Sequence, residues 1–188
     1  EMGEIIEHTY SKPAEPAATE VSFVNKASSV QSVVALGNII DLKPGDEDVI
    51  KLQLANQILG GGSLGRLFQN IREDKGYTYG AYSSYDDDEL IGEFDAQASV
   101  RNAVTDSAIV EFLAEFKRLQ TEGVSEEELE GAKNYIIGSF GRSLENPQTV
   151  ARFALNIQRY NLDENYYKDY LTKLQALTTQ DVMDAANK

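Results

Sequence analysis

Cysteine and histidine, the side chains that most often bind metals or act as nucleophiles and general bases, are almost missing from this chain of 188 residues. It has no cysteine and one histidine, His8. The absence of cysteine excludes a disulfide scaffold, a thiolate zinc site and a cysteine nucleophile. His8 lies in a polar stretch without metal-ligand spacing, so this chain cannot build an HExxH-type zinc site or a Ser-His-Asp triad. We expect His8 to be a solvated tail residue.

Basic residues are also scarce: 17 Lys and Arg stand against 31 Asp and Glu, and the formal net charge is −14. This balance argues against nucleic-acid binding, because such binding depends on lysine and arginine at the phosphates. No apolar run approaches the roughly 18–20 residues that cross a membrane, so we predict no transmembrane segment. The chain starts with Glu1, which leaves open that it is a piece of a longer protein.

The length fits one compact domain with a short tail, because a domain typically takes about 100–200 residues. Residues 1–19 carry Pro13 and Pro16 among polar residues and show no periodicity, which predicts an extended linker or tail. We therefore predict that the domain itself comprises residues 20–188.

The first half of this domain alternates between strand-like and helical patterns. Strands are predicted at 21–25, 30–36, 77–85 and 90–100, and helices are predicted over a stretch ending near Leu59 and over 64–74. The strand at 90–100 has the clearest pattern, since Phe94, Ala96 and Ala98 alternate with Asp95 and Gln97. A half-buried antiparallel strand requires this alternation.

The second half is predicted to be helical. One helix has an apolar stripe, and the following helices begin at recognisable caps. The stripe consists of Ile109, Phe112, Leu113, Phe116 and Leu119, and the caps are Ser125 with Glu128, Asn146 with Pro147, and Thr178 with Asp181. Strands early and helices late predict an α+β fold, with one antiparallel sheet and helices packed mainly on one face.

Two candidates for chemistry have simpler explanations. The glycines Gly60–Gly62 follow a helix rather than a strand, so a P-loop is excluded, and a helix C-cap with a tight corner is favoured. The carboxylate clusters Asp86–Glu89 and Glu126–Glu128 lack the calcium-loop pattern. We interpret the first as a solvated turn and the second as an acidic first turn of a helix.

The segment from Leu67 to Gly80 differs from these candidates. It places Arg72 near the end of a helix and, seven residues later, Tyr79 on the following strand. If the chain turns back between them, a guanidinium and a phenol converge and can donate hydrogen bonds to a carbonyl that becomes an oxyanion. The alternative is that Arg72 pairs with Glu73 or Asp74 and that Tyr79 packs in the sheet.

The stretch "LANQILGGGSLGRLFQNIREDKGYTYG" at 54–80 resembles the C-terminal half-domain of the pitrilysin/insulinase (M16) zinc metallopeptidases, especially the bacterial members similar to mitochondrial processing peptidase. The resemblance covers about residues 20–188 and includes "EGVSEEELEGAKNYIIGSF" and "ENPQTVARFA". It implies a LuxS/processing-peptidase-like metallohydrolase fold, in which several such domains enclose a peptide substrate in a chamber.

The resemblance also implies roles for particular residues. Family members bind zinc through an HxxEH motif in a different domain, and this chain has no such motif. By resemblance, Arg72 and Tyr79 orient the scissile carbonyl and stabilise the tetrahedral intermediate, and Gly61 and Gly62 contact substrate. Zinc is expected in a partner domain or subunit rather than here, so the chain alone is predicted to be inactive. Its acidic surface favours basic peptides.

Three functions are compatible with these patterns. We favour a substrate-binding domain of a zinc endopeptidase that works with an HxxEH-bearing partner. The second is a non-catalytic assembly or scaffold domain of the same fold, although such domains often lose the Arg/Tyr pair. The third is a freestanding acidic binding module. A bacterial cell-envelope, periplasmic location is expected in preference to the cytoplasm, because relatives occur there and the chain lacks cysteine.

Overall fold

A computed structural model of the chain describes residue 14 and residues 16–188. The predictions for His8 and for most of the tail lie outside the described residues. Within them, the elements in chain order are β1 Gln31–Ile40, α1 Asp48–Leu59, a π-helix Phe68–Asp74, β2 Thr78–Asp86, β3 Gly92–Arg101, a 3₁₀ turn Asn102–Val104, α2 Thr105–Thr121, α3 Glu126–Ser143, α4 Pro147–Arg159, α5 Tyr166–Ala176 and α6 Thr179–Ala186. The predicted α+β fold is confirmed.

The three strands form one antiparallel sheet in the order β1-β3-β2. Its central strand β3 alternates as predicted: Ala96, Ala98 and Val100 are buried, whereas Gln97 and Ser99 are exposed. Small residues on the buried side let the helices approach the sheet closely. The alternation therefore determines which face of the sheet receives the helices.

The helices α1 and α2 and the π-helix pack on the sheet, α3 and α5 pack on α1, and α6 packs on α1 and α2, so that one core forms. Its largest fully buried apolar side chains come from five helices or their flanks and from β3: Leu54, Leu67, Ile71, Val100, Phe112, Leu174 and Val182. Burial of such a side chain contributes about 1.5–3 kcal/mol each. No helix in the described part of the chain has the length and apolar content that crossing a bilayer requires.

The helix starts follow the predicted caps. Ser125 and Glu128 form a reciprocal capping box at α3, and Thr178 and Asp181 form another at α6. The Asn146 side chain accepts a hydrogen bond from the Gln148 N–H at the start of α4. Each cap provides an acceptor for amide groups that the first helical turn leaves unpaired.

The strand predicted at Val21–Asn25 is wrong. These residues form no regular element, and Val21, Phe23 and Val24 are 86%, 83% and 90% exposed. The turn after them does form, since the Ser29 N–H donates to the Lys26 carbonyl at 2.9 Å. A strand needs a neighbour to pair with, and among the described residues β1 pairs only with β3.

The apolar stripe predicted for α2 is rotated in the structure. Phe112 and Leu119 are buried as expected, but Ile109 and Leu113 are 36% and 52% exposed. Glu115 is buried in their place, at 2% exposure. Burial of a carboxylate on the inner side of a helix requires polar partners, which the neighbouring π-helix supplies.

Candidate functional site

The segment predicted as a short helix over 64–74 contains a π-helix, Phe68–Asp74, and this element carries Arg72. Its wider turns are visible in the bond from the Lys75 N–H to the Asn70 carbonyl, at 3.0 Å. Gly76 ends the helix with a φ of +62°, a conformation that favours glycine. π-helices are rare and occur frequently at functional sites.

Arg72 reaches from the π-helix to the next strand. Its Nε donates to the carbonyl oxygen of Tyr79 at 3.0 Å, and its Nη1 forms an ion pair with Glu73. The guanidinium carbon also lies 5.1 Å from the centre of the Phe68 ring, within the range of a cation–π contact. The seven-residue spacing therefore brings the guanidinium onto the backbone of Tyr79, and the alternative pairing of Arg72 with Glu73 is present as well.

Tyr79 lies in a β-bulge at the start of β2. Thr78 pairs with Val100 and Ala81 pairs with Ala98, so β2 has one residue more than β3 between these pairs. The Thr78 hydroxyl holds the bulge by accepting from the Gly80 N–H at 3.1 Å. Without the extra residue, Tyr79 would share the buried face of Ala81. The bulge instead exposes 87% of Tyr79, so the alternative in which this ring packs in the sheet is wrong.

Two aromatic residues that were not predicted as site residues lie near Arg72: Phe68 contacts the guanidinium, and Tyr82 contacts Phe68. The rings of Phe68 and Tyr82 lie 5.7 Å apart, and Phe68 also underlies the guanidinium. A Cβ on Gly80 would lie 2.6 Å from the Tyr82 ring, so this ring occupies space that only glycine leaves open. The spacing of four residues between Phe68 and Arg72 was a usable signal, because such residues share a helix face.

The glycine corner packs against the same strand. Gly60 ends α1, as predicted, and its carbonyl accepts from the Ser83 N–H at 3.0 Å. A Cβ on Gly60 would lie 2.6 Å from the Ser83 nitrogen, whereas a Cβ on Gly62 would meet nothing closer than 3.7 Å. The corner is therefore tight at Gly60 and open at Gly62. Substrate contact by Gly61 and Gly62 stays a prediction.

Arg66 connects this corner to the start of α3. Its Nε and Nη2 donate to the two carboxylate oxygens of Glu128 at 2.7 and 3.0 Å, and Nη2 also donates to the Gly123 carbonyl. The guanidinium lowers the pKa of Glu128 to about 2. This two-point ion pair fixes the corner from which the π-helix begins.

The described residues do not fit a metal ion. They contain no group of three or more His, Cys, Asp or Glu side chains arranged to hold one. The guanidinium of Arg72 lies beside the backbone of Tyr79, over the Phe68 ring and against the Glu73 carboxylate. The guanidinium of Arg72 and the exposed phenol of Tyr79 are both hydrogen-bond donors.

Comparisons with known proteins point to one family. A family model described as the peptidase M16 inactive domain matches residues 5–136. A *Bacillus subtilis* protein named an uncharacterized zinc protease, YmxG, is 35% identical over 124 residues, which is 64% of this chain and 29% of its own length. A *Helicobacter pylori* protein named a non-peptidase homolog, YmxG, is 22% identical over 97% of this chain and 42% of its own. The chain thus spans less than half the length of these curated relatives.

Solved structures share the fold. The peptidase M16 inactive domain from *Pseudomonas fluorescens* superposes with a TM-score of 0.76 and 28% identity, over 85% of this chain and 38% of that one. A protease from *Helicobacter pylori* gives a TM-score of 0.77 at 22% identity, over 86% and 39%. The family model begins inside the predicted tail, at residue 5, so the boundary at residues 19 and 20 stays a prediction.

Proposed function

The chain belongs to the peptidase M16 family, as a domain of the type described as inactive, and we propose that it binds substrate and stabilises the transition state in a larger zinc endopeptidase. The observation that carries this proposal is the bulge that exposes Tyr79 beside the guanidinium of Arg72. The second domain or subunit in this proposal bears the HxxEH motif and the zinc, and the substrate is a peptide held in an enclosed chamber.

Arg72 and Tyr79 have donors left for a substrate. A guanidinium carries five N–H donors, and within the described residues Arg72 uses Nε for the Tyr79 carbonyl and Nη1 for Glu73. The phenol of Tyr79 points to solvent. Both can donate to a peptide carbonyl and strengthen those bonds as negative charge develops on its oxygen.

The ion pair with Glu73 does not block this role. Both side chains are more than one third exposed, at 38% and 46%. Exposed ion pairs typically contribute only about 0–1 kcal/mol, so an incoming carbonyl can share or replace Glu73 at low cost. The bond from Nε to the Tyr79 carbonyl, rather than Glu73, holds the guanidinium near the strand.

The second candidate is an assembly or scaffold domain of the same fold. The observation that favours it is the *Helicobacter pylori* relative named a non-peptidase homolog, which matches almost the whole chain. The presence of Arg72 and Tyr79 together, in a geometry that exposes the phenol, supports the peptidase role instead.

The test uses the full-length protein, including whichever domain or subunit holds the zinc. kcat/KM for a quenched fluorescent peptide with basic flanking residues is compared among wild type, Tyr79→Phe and Arg72→Ala. We expect each variant to lose about 10²–10³-fold, the usual effect of removing an oxyanion donor, with zinc content unchanged. Tyr135→Phe, a half-exposed tyrosine of α3, is the matched control and should keep the wild-type rate. Unchanged rates in both test variants would favour the scaffold role.

A cell-envelope location is part of the same proposal. It predicts that the full-length protein fractionates with periplasmic or membrane material when cells are opened by osmotic shock. Recovery only in the cytoplasmic fraction would contradict this location without affecting the proposed chemistry.

A further inference from the structure

The π-helix that carries Arg72 is placed by apolar contacts on its inner side. Leu67, just before it, and Ile71 are fully buried. These side chains set which face meets the core, but apolar burial has no directional preference and tolerates small rotations about the helix axis. Because the direction of Arg72 depends on that rotation, polar contacts to neighbouring elements refine it, as the bond from Arg72 to the Tyr79 carbonyl does at the outer side.

Asn70 supplies such a contact. Its Nδ2 donates to Oε1 of Glu115 at 2.7 Å and to Oε2 of Glu111 at 3.0 Å, two carboxylates one turn apart on α2. Lys75 Nζ lies 3.0 Å from the other oxygen of Glu111. Asn70 and Lys75 flank Arg72 in sequence, so the turn that carries Arg72 is tied to α2 on both sides.

Glu115 is the fixed point of this cluster. It is 2% exposed, and Arg118 Nη1 donates to both of its oxygens at 2.9 and 3.0 Å. A hydrophobic residue at this position would give comparable burial without the desolvation cost of a carboxylate. What a carboxylate adds is a hydrogen-bond acceptor with a defined direction.

We propose that Asn70, held by Glu115, is a positioning residue for Arg72. The hydrogen bond between them fixes the rotation of the π-helix and therefore the direction of the Arg72 guanidinium toward a peptide carbonyl. This inference rests on the proposed function of Arg72. It predicts a large effect on turnover, since displacing a positioned group by about 1 Å can cost ~10²-fold in rate.

The first variant is Asn70→Asp in the full-length protein, assayed with the same peptide. It replaces the donor with a carboxylate. The charged groups bonded to Asn70 or to its partners come from α2 and from the residue after the π-helix: Glu111, Glu115, Arg118 and Lys75. At about pH 7.5 we expect kcat to fall roughly 10–100-fold, with KM changed less than about threefold. Near pH 5 a proton on the new carboxyl restores a donor, so the ratio of variant to wild-type rate should rise about tenfold.

The second variant exchanges donor and acceptor. In the double variant Asn70→Asp, Glu115→Gln, the glutamine amide donates to the new carboxylate, while the repulsion from Glu111 remains. We therefore expect kcat to recover several-fold from the single variant without reaching the wild-type value. Glu122→Gln, which removes an exposed partner of Arg118, is the matched control and should leave the rate unchanged. If Asn70→Asp prevents folding, Asn70→Ala takes its place, because it removes the donor without adding charge.

Combination with Arg72→Ala shows whether Asn70 acts through Arg72. If it does, adding Asn70→Asp to Arg72→Ala causes no further loss of kcat/KM. If the losses of kcat/KM in the two single variants multiply in the combined variant, Asn70 has a purely structural role. A lower melting temperature without recovery in the exchanged variant would mean the same.

The same variants separate the two proposals. If Arg72→Ala keeps the wild-type rate, the proposed function itself fails. If Arg72→Ala is slow while Asn70→Asp is as fast as wild type, only the positioning role fails.

Discussion

Tyr79 and Tyr85 lie on the same strand, yet their surroundings give them different chemical roles. Tyr79 stands in the bulge and is 87% exposed, so its phenol is open to solvent. Burial beneath the helices, together with the nearby Asp87 carboxyl, raises the pKa of Tyr85 far above its ordinary value. Tyr85 therefore stays protonated and packed. The extra residue between Thr78 and Ala81 causes this difference, because it turns Tyr79 away from the buried face on which Tyr85 lies.

Glu128 gives a prediction about pH at the residue scale. Its ion pair with Arg66 lowers the folded-state pKa to about 2. A lowered pKa adds stability that is fully present above the unfolded-state pKa, and this contribution is lost as the pH falls toward 2. Because Glu128 is one third exposed, we expect Glu128→Gln to cost about 1–2 kcal/mol at neutral pH, less than the full shift implies.

Urea unfolding of wild type and Glu128→Gln at several pH values measures this effect. The difference in free energy of unfolding should shrink steadily below about pH 4 and vanish near pH 2. Glu127→Gln, an exposed neighbour in the same first turn, is the control and should change stability little at any pH. A difference that is the same at pH 7 and pH 3 would contradict the ion-pair explanation.

At the scale of elements, two short irregular segments position the site. The glycine corner turns the chain from α1 against β2, and the π-helix then carries Arg72 across the start of the same strand. Neither segment belongs to the regular helices and strands that form most of the core. The regular elements provide a rigid support, and the irregular ones place the side chains that can meet a ligand.

Gly60 and Gly62 allow a matched test of the corner. Gly60→Ala places a methyl group 2.6 Å from the Ser83 nitrogen and 2.8 Å from a Leu67 methyl, so we expect a loss of about 1–3 kcal/mol in the free energy of unfolding. Gly62→Ala meets only ordinary contacts and should change stability by less than about 0.5 kcal/mol. Equal effects in chemical unfolding would mean that the corner is not packed as described. A selective rise in KM for Gly62→Ala would support its predicted contact with substrate.

At the scale of the whole molecule, the outer edge of the sheet is uncovered. Among the described residues β1 pairs on one side only, and the unpaired segment 21–25 lies beside it. A cavity of about 1280 Å³ lies among that segment, β1 and α2, and its lining is more apolar than polar. Exposed apolar strand edges promote association, so we expect this side of the domain to bind another chain or domain.

The isolated chain is therefore expected to bind a hydrophobic dye and to self-associate as its concentration rises. Val33, 73% exposed on the outer face of β1, is the residue to change, because a lysine at an edge strand opposes pairing. Val33→Lys should weaken association by light scattering, whereas Val110→Lys on the outer face of α2 should not. A strictly monomeric wild-type chain that binds no dye would indicate a freestanding module.

The sequence by itself determined much of this protein. The alternation of apolar and polar residues determined β3 and its buried face, and capping residues determined the starts of α3, α4 and α6. The spacing of seven residues predicted that Arg72 reaches Tyr79, and Arg72 does contact the Tyr79 backbone. These are local properties, and short-range periodicity or a single cap is enough to specify them.

The tertiary structure decided the rest, because it depends on partners distant in sequence. Segment 21–25 has the pattern of a strand but no neighbour to pair with, and α2 buries Glu115 because Asn70 of the π-helix lies opposite it. The exposure of Tyr79 depends on the register between β2 and β3, since one extra residue moves a side chain from one face of a sheet to the other. Pairing, register and burial of charge are properties of two segments together, so neither segment's sequence contains them alone.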